Sequence, residues 1–241
     1  MSVYSREYRL RNKDVNMFMR LRLSRLTEML QEASIDHTEQ LGAGREKTLD
    51  RGLLWVVVQQ ETEIFRMPEY DEQITVQSWP GRTMHVLFPR YYRLLSKSGE
   101  VLAQGSSLWT LVDENSRKIV FPDRFGIEIP EETTGFETAL PGRPGKRDTD
   151  HSRQFQVPFS YCDLNGHMNN TRYFDLAEDT VTLSSSGRIP SRIRTEYANE
   201  ARFRDIITVS WTEDENTAYI AGDSGKNCFR MCLEYKEQDQ K

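Results

Sequence analysis

One word occurs twice in this chain. Tyr70-Asp71-Glu72-Gln73-Ile74-Thr75-Val76-Gln77-Ser78-Trp79 is echoed by Phe203-Arg204-Asp205-Ile206-Ile207-Thr208-Val209-Ser210-Trp211. An aromatic residue, an acid, Ile-Thr-Val and Ser-Trp come in the same order. A solenoid needs about three stacked repeats, so two copies point instead to a pseudo-dimer whose halves complete each other. That requirement constrains the fold more than any other feature of the sequence.

The elements around the two words repeat as well. Val15, Phe18, Met19, Leu23, Leu26, Leu30 and Ala33 follow helical spacing and predict a helix from Asp14 to Ala33, with Asp14 as N-cap. Strands are predicted at Leu53 to Val58, Gln73 to Trp79, Met84 to Leu95 and Val101 to Val112, with a Ser98-Gly99 hairpin turn between the last two. Residues 125–152 carry Pro130, Pro141 and Pro144 with little periodicity and read as a connector. The order then restarts. A strand at Gln154 to Phe159 and a polar loop precede a helix with Tyr173, Leu176, Ala177 and Val181 on one face. Strands follow at Ile193 to Ala201, Ile206 to Trp211, Ala218 to Ala221 and Cys228 to Tyr235. The expected units are residues 1–124 and 153–241. Each is an α+β unit in which an antiparallel sheet, alternating in burial, wraps one helix. That is the hot-dog arrangement, and two in one chain make a double hot-dog.

At 241 residues the chain has ample length to bury a core, and its net charge of −5 offers no global basic field for nucleic acid. Cys162, Cys228 and Cys232 form no Cys-x-x-Cys and leave one over after any pairing, which fits a reducing compartment. No run approaches a membrane span and Met1 to Arg6 opens no apolar leader, so a cytoplasmic protein is expected.

The chemistry concentrates in Asp163-Leu164-Asn165-Gly166-His167-Met168-Asn169-Asn170, just ahead of the second helix. His167 can exchange a proton near neutral pH. Asp163 can act as base, nucleophile or orienting group. Asn165 can orient water or the imidazole. Gly166 lets a ligand carbonyl approach its backbone N–H, where a helix N-terminus would stabilise an oxyanion. These groups suit attack on an activated carbonyl such as a thioester. As structure alone, the same loop is a capped helix, with Asn169 or Asn170 as N-cap and Asp163 in an Asx turn. Downstream, Glu200 in Tyr197-Ala198-Asn199-Glu200-Ala201 can face the loop from a strand end as general base. Glu178 and Asp179, on the second helix, read as a solvated face or as ion-pair partners of Arg172 or Arg202, with Glu178 a reserve base.

In this order of elements, with Asp-x-Asn-x-His-x-Asn-Asn, Tyr173 and Glu196-Tyr197-x-x-Glu200, the chain resembles the acyl-acyl carrier protein thioesterases of plant plastids and their bacterial relatives along nearly its whole length. The resemblance implies a double hot-dog and hydrolysis of the acyl thioester on a carrier's phosphopantetheine arm, ending chain elongation. It implies a catalytic set of Asp163, Asn165, His167 and Glu200, an acyl-chain pocket in the first half, and no metal or cofactor. Plant relatives often carry Cys directly after the downstream Glu. Here Ala201 stands there, so a Cys–His mechanism has no support, and Cys162 reads as a packed thiol. The expected partner is an acidic acyl carrier protein. Arg188, Arg192, Arg194, Arg143, Lys146 and Arg147 are candidate docking charges. Met17, Met19, Met29, Trp55 and Phe65 are candidate pocket residues. The competing readings are an acyl-coenzyme A thioesterase, a hot-dog dehydratase and a silent acyl-binding module. The oligomeric state, monomer or homodimer, stays open.

Overall fold

The structure, a computed structural model, describes residues 3–236. One antiparallel sheet of ten strands runs through both halves. The first half contributes β1 (Tyr4–Arg9), β2 (Leu53–Ile64), β3 (Gln73–Pro80), β4 (Phe88–Ser96) and β5 (Val101–Asp113), with helix α1 (Leu23–Gln40) between β1 and β2. The second contributes β6 (His151–Gln156), β7 (Pro190–Tyr197), β8 (Ile206–Glu213), β9 (Thr217–Asp223) and β10 (Asn227–Tyr235). Helices α2 (Arg172–Thr180) and α3 (Thr182–Ser185) lie between β6 and β7. The spatial order is β1-β3-β4-β5-β2-β7-β10-β9-β8-β6. Read outward from the centre, each half has the same strand order. They join where β2 pairs with β7, Gln59 opposite Glu196 through Glu63 opposite Arg192. This is a double hot-dog.

The repeated words occupy β3 and β8, which are equivalent by strand order. Ile74, Val76, Ile207 and Val209 point into one core shared with Leu26, Leu30 and Ala33 of α1 and Phe174, Leu176 and Ala177 of α2. Full burial of each such aliphatic side chain contributes about 1.5–3 kcal/mol, so the alternation seen in the sequence holds the sheet against the helices. Even the backbone entry repeats. Asp71 and Arg204, at matching places in the two words, both take left-handed φ values, 68° and 70°.

Several boundaries differ from expectation. Strand β1 was not legible because its burial is that of a charged edge strand. Arg9 there makes a fork-like pair with Asp71 at 2.6 and 2.8 Å. Such charges on an edge discourage pairing with other chains. Helix α1 starts at Leu23, not near Asp14, and runs on to Gln40. Asp14 is buried in a short 3-10 turn, accepting Arg11 N–H at 2.8 Å and Arg25 Nε–H at 2.8 Å. Val15, Phe18 and Met19 imitate helical spacing, but Met19 has φ 62° and the segment is a loop. Strand β4 starts at Phe88 because Met84 to Leu87 closes a tight turn around His85 at φ 54°. Gly99 turns the hairpin between β4 and β5 with φ 86°. Residues 126–150 have no regular strand or helix. They cross the sheet face opposite the helices, where Gly142 N–H donates to Glu61 at 2.8 Å and Ser106 donates to Ala139 O.

Candidate active site

The polar loop is built by backbone bonds before any side chain acts. Cys162 and Met168 form an antiparallel bridge, and Asp163 N–H donates to His167 O at 2.9 Å. Gly166 sits at φ 74°, the left-handed region that a residue without Cβ adopts freely. Its N–H donates to Asp163 O at 3.0 Å, so the amide expected to meet a ligand carbonyl is committed within the loop. Asp163 Oδ1 accepts Asn165 N–H at 2.8 Å, the expected Asx turn. Asn169 Oδ1 accepts both N–H and Oγ–H of Thr171 at 2.9 Å, just before α2. The loop is therefore a structural turn that also exposes functional groups, while the expected N-cap role of Asn169 or Asn170 is not realised: Thr171 is the N-cap of α2, with no side-chain capping bond.

Ala201 O accepts Met168 N–H at 2.7 Å, and His167 bridges Arg202. This pairing brings the segment after β7 alongside the loop and sets Glu200 beside the imidazole, with Glu200 Oε2 3.3 Å from His167 Nε2. The ring is buried and the carboxylate is partly open, with side-chain exposures of 7% and 37%. Burial is the main cause lowering the imidazole pKa. Glu200 pulls it upward, and Arg117 and then Arg202 push it down. Arg117, which sequence reasoning missed, reaches in from the first half. Its Nη2 lies 3.2 Å from His167 Nε2, and its Nη1 lies 3.3 Å from Glu200 Oε1. Nothing local marks it, for it stands fifty residues from His167 in the chain.

These groups line a cleft of about 330 Å³ between the halves, walled by Trp55 to Val58 of β2 and by Tyr173 and Tyr197. The Tyr197 hydroxyl is buried there without a hydrogen-bond partner. Trp55 and Asn165 also line an adjoining cavity of about 220 Å³ between α1 and the first-half sheet, with Leu53, Leu54, Phe88, Trp109 and Ile129. Its deep wall carries Arg90, buried and hydrogen-bonded to His37 Nδ1 at 3.0 Å and Thr38 Oγ1 at 2.6 Å.

The first half repeats the loop without its chemistry. Val15 bridges Leu21 and Arg20 bridges Glu69, as Cys162 bridges Met168 and His167 bridges Arg202. Met19 N–H donates to Asn16 O at 2.9 Å, matching Gly166 to Asp163. Asn16, Phe18, Met19, Arg20 and Met67 thus stand where Asp163, Asn165, Gly166, His167 and Glu200 stand. Arg20 donates to Gly187 O and Phe18 packs against Gly187, leaving only about 20 Å³. The place equivalent to the cleft is thus plugged in the first half.

Other sequence candidates fall elsewhere. Glu178 is not on a solvated face: it accepts Leu23 N–H at 3.2 Å at the start of α1, and burial raises it to about 7. Arg172 pairs with Asp175 rather than with Glu178 or Asp179. Cys162 is raised by burial, then by Asp163 and Asp205, which suits a packed thiol rather than a nucleophile. Met17, Met19 and Phe65 are exposed and Met29 is core, so of the five pocket candidates only Trp55 lines the cavity. Arg192 and Arg194 face away from the helices and pair with Glu61, Glu63 and Glu234. Among the described residues no helix is long and apolar enough to cross a membrane.

A double hot-dog with a carboxylate and an imidazole side by side at the seam defines the class: a double hot-dog protein with a polar cleft between its halves. The acyl-ACP thioesterase N-terminal domain matches residues 1–123 and the C-terminal domain matches residues 145–236, and the chain belongs to the acyl-ACP thioesterase family. It is 22% identical to the chloroplastic palmitoyl-acyl carrier protein thioesterase of Gossypium hirsutum, over 95% of this chain and 60% of that protein. It is 25% identical to the chloroplastic dodecanoyl-[acyl-carrier-protein] hydrolase of Cinnamomum camphora, over 88% and 61%. The chain spans about three fifths of the length of these curated relatives. An acyl-ACP thioesterase from Bacteroides thetaiotaomicron shares the fold with a TM-score of 0.86 at 20% identity, covering 97% of this chain and 98% of that one. The 12:0-ACP thioesterase of Umbellularia californica gives 0.79 at 20% identity, with 97% of each chain covered.

Proposed function

We propose that this protein hydrolyses the thioester of a fatty acyl chain carried on acyl carrier protein, releasing the free fatty acid and ending elongation. The observation that carries the proposal is the contact between His167 and Glu200 in a cleft that shares Trp55 and Asn165 with a largely apolar cavity. Family membership supports the same reading.

In this mechanism the acyl chain lies in the cavity under α1 and the thioester carbonyl lies near Asn165, at the junction of cavity and cleft. Glu200 takes a proton from water as the water oxygen bonds to the carbonyl carbon. The tetrahedral intermediate collapses, the C–S bond breaks, and the leaving sulfur receives a proton through His167. Asp163 holds the loop through Asn165 N–H. General-base catalysis of this kind is worth about 10²–10⁴ in rate. A mixed anhydride on a carboxylate is the alternative. Single turnover in ¹⁸O-water separates the two: label in an enzyme carboxylate supports the anhydride, and label only in the product excludes it.

Thiol release from acyl carrier substrate and from acyl-coenzyme A tests the function, using wild type, His167→Ala and Glu200→Gln. The expected result is release by wild type, favouring the carrier, with both variants slowed at least a hundredfold. No release by wild type removes the hydrolase and leaves the binding module. Faster turnover of the coenzyme A substrate favours that carrier instead. Equal release by all three proteins removes the site.

A further inference from the structure

Arg117 lies outside the motif and belongs to the half that lacks it. Its position is set by a tight turn after β5. Lys118 O accepts Asp113 N–H at 3.0 Å, Ile119 bridges Val112, and Val120 N–H donates to Leu111 O at 3.0 Å. Asp113 Oδ1 accepts both N–H and Oγ–H of Ser116 at 2.7 Å, and these bonds hold the Asp113 carboxyl below its ordinary range. Arg117 itself has φ 57°. The turn itself holds this conformation, with Arg117 N–H donating to Asp113 O at 2.9 Å.

The guanidinium is aimed rather than solvated. Its Nη2 lies 3.2 Å from His167 Nε2 and 3.4 Å from Nδ1. Its Nη1 is buried and has no well-formed hydrogen bond, despite lying 3.3 Å from Glu200 Oε1. The charge of that nitrogen is thus met by an ion pair with Glu200 rather than by a directed hydrogen bond. A guanidinium has only donors and a fixed positive charge, so its place against both ring nitrogens disfavours a positively charged ring.

We propose that Arg117 is a positioning residue of the thioester site, holding the His167 ring neutral against Glu200 so that this pair can pass the proton of the attacking water. The proposal rests on the thioesterase reading for its chemistry, whereas its ring titration does not. Four charged groups face the ring: Glu200 and Asp163 favour its protonated form, and Arg117 and Arg202 oppose it. Burial adds to the opposition. Loss of Arg117 leaves both carboxylates facing one arginine, and the ring then protonates at higher pH.

The test is an NMR titration of the His167 ring in the full chain, beside the pH profile of thiol release from acyl carrier substrate. Arg117→Gln is expected to raise the His167 midpoint by at least half a unit and to move the acid limb of kcat by the same amount. Arg117→Lys, which keeps the charge, is expected to leave both near wild type. If Arg117→Gln does not fold, Arg117→Gly, which removes the Cβ from a left-handed position, replaces it. An unchanged midpoint in the neutral variant overturns the proposal. So does an equal shift in the lysine variant. If the wild type releases no thiol, the thioesterase reading fails, while the ring titration still decides whether Arg117 sets the state of His167.

Discussion

Gly166→Ala separates two reasons for a glycine in the site loop. In one, a ligand carbonyl must come close to the Gly166 backbone. In the other, only the left-handed backbone matters. The geometry favours the second. The φ is 74°, the N–H is committed to Asp163 O, and a Cβ built there meets no atom within 4 Å. The cost is then conformational alone. A left-handed residue with a Cβ pays about 1–2 kcal/mol, and the stiffer unfolded chain returns roughly 0.4–1 kcal/mol. The net loss is about 1 kcal/mol, which for a chain of this size lowers Tm by roughly 2–4 °C. Met19 shows that the same loop accepts a side chain, since it occupies the equivalent place at φ 62°. Urea unfolding and thiol release measured together check the argument. The expected variant is slightly less stable and turns over within about fivefold of wild type. Met19→Gly, the reciprocal change, is expected to cost no stability. Unchanged stability with turnover down a hundredfold would refute the reasoning and return Gly166 to the substrate.

Two further outcomes are expected. Glu178 is raised to about 7 by burial, so the folded chain binds a proton that the unfolded chain releases earlier. Its contribution to stability is full below its unfolded value and is lost as pH rises toward 7. Glu178→Gln keeps an acceptor for Leu23 N–H and should flatten the stability profile between about pH 4.5 and 7; an unchanged slope in urea titrations at several pH values would contradict this. Ile129→Trp fills part of the cavity that adjoins the cleft. It should move acyl preference toward shorter chains in a panel of carrier substrates, and an identical preference would mean that the acyl chain lies elsewhere.

The repeated word and the polar loop were legible because their signals are local. Ile74, Val76, Ile207 and Val209 alternate with solvated neighbours, and that alternation is printed in the chain. The turn chemistry of Asp163 and Gly166 is likewise complete within eight residues. The start of α1 was not legible. Val15, Phe18 and Met19 have helical spacing, yet the loop they form is imposed by pairing with Pro68 to Tyr70, far along the chain. Strand β1 was missed for a related reason: an edge strand buries so little that its pattern is that of a charged surface.

By itself the sequence determined two similar units, the antiparallel character of each, and one loop able to present a carboxylate, a carboxamide and an imidazole together. Only the tertiary structure decided what those groups meet. Pairing of β2 with β7 closes the seam between the halves. That seam brings Glu200 and Arg117 together beside the Nε2 of one buried ring, next to the cavity. The physical reason is range. Backbone conformation and alternation are settled by neighbours in the chain, whereas burial and the charge around an imidazole depend on groups that a sheet brings together from distant positions.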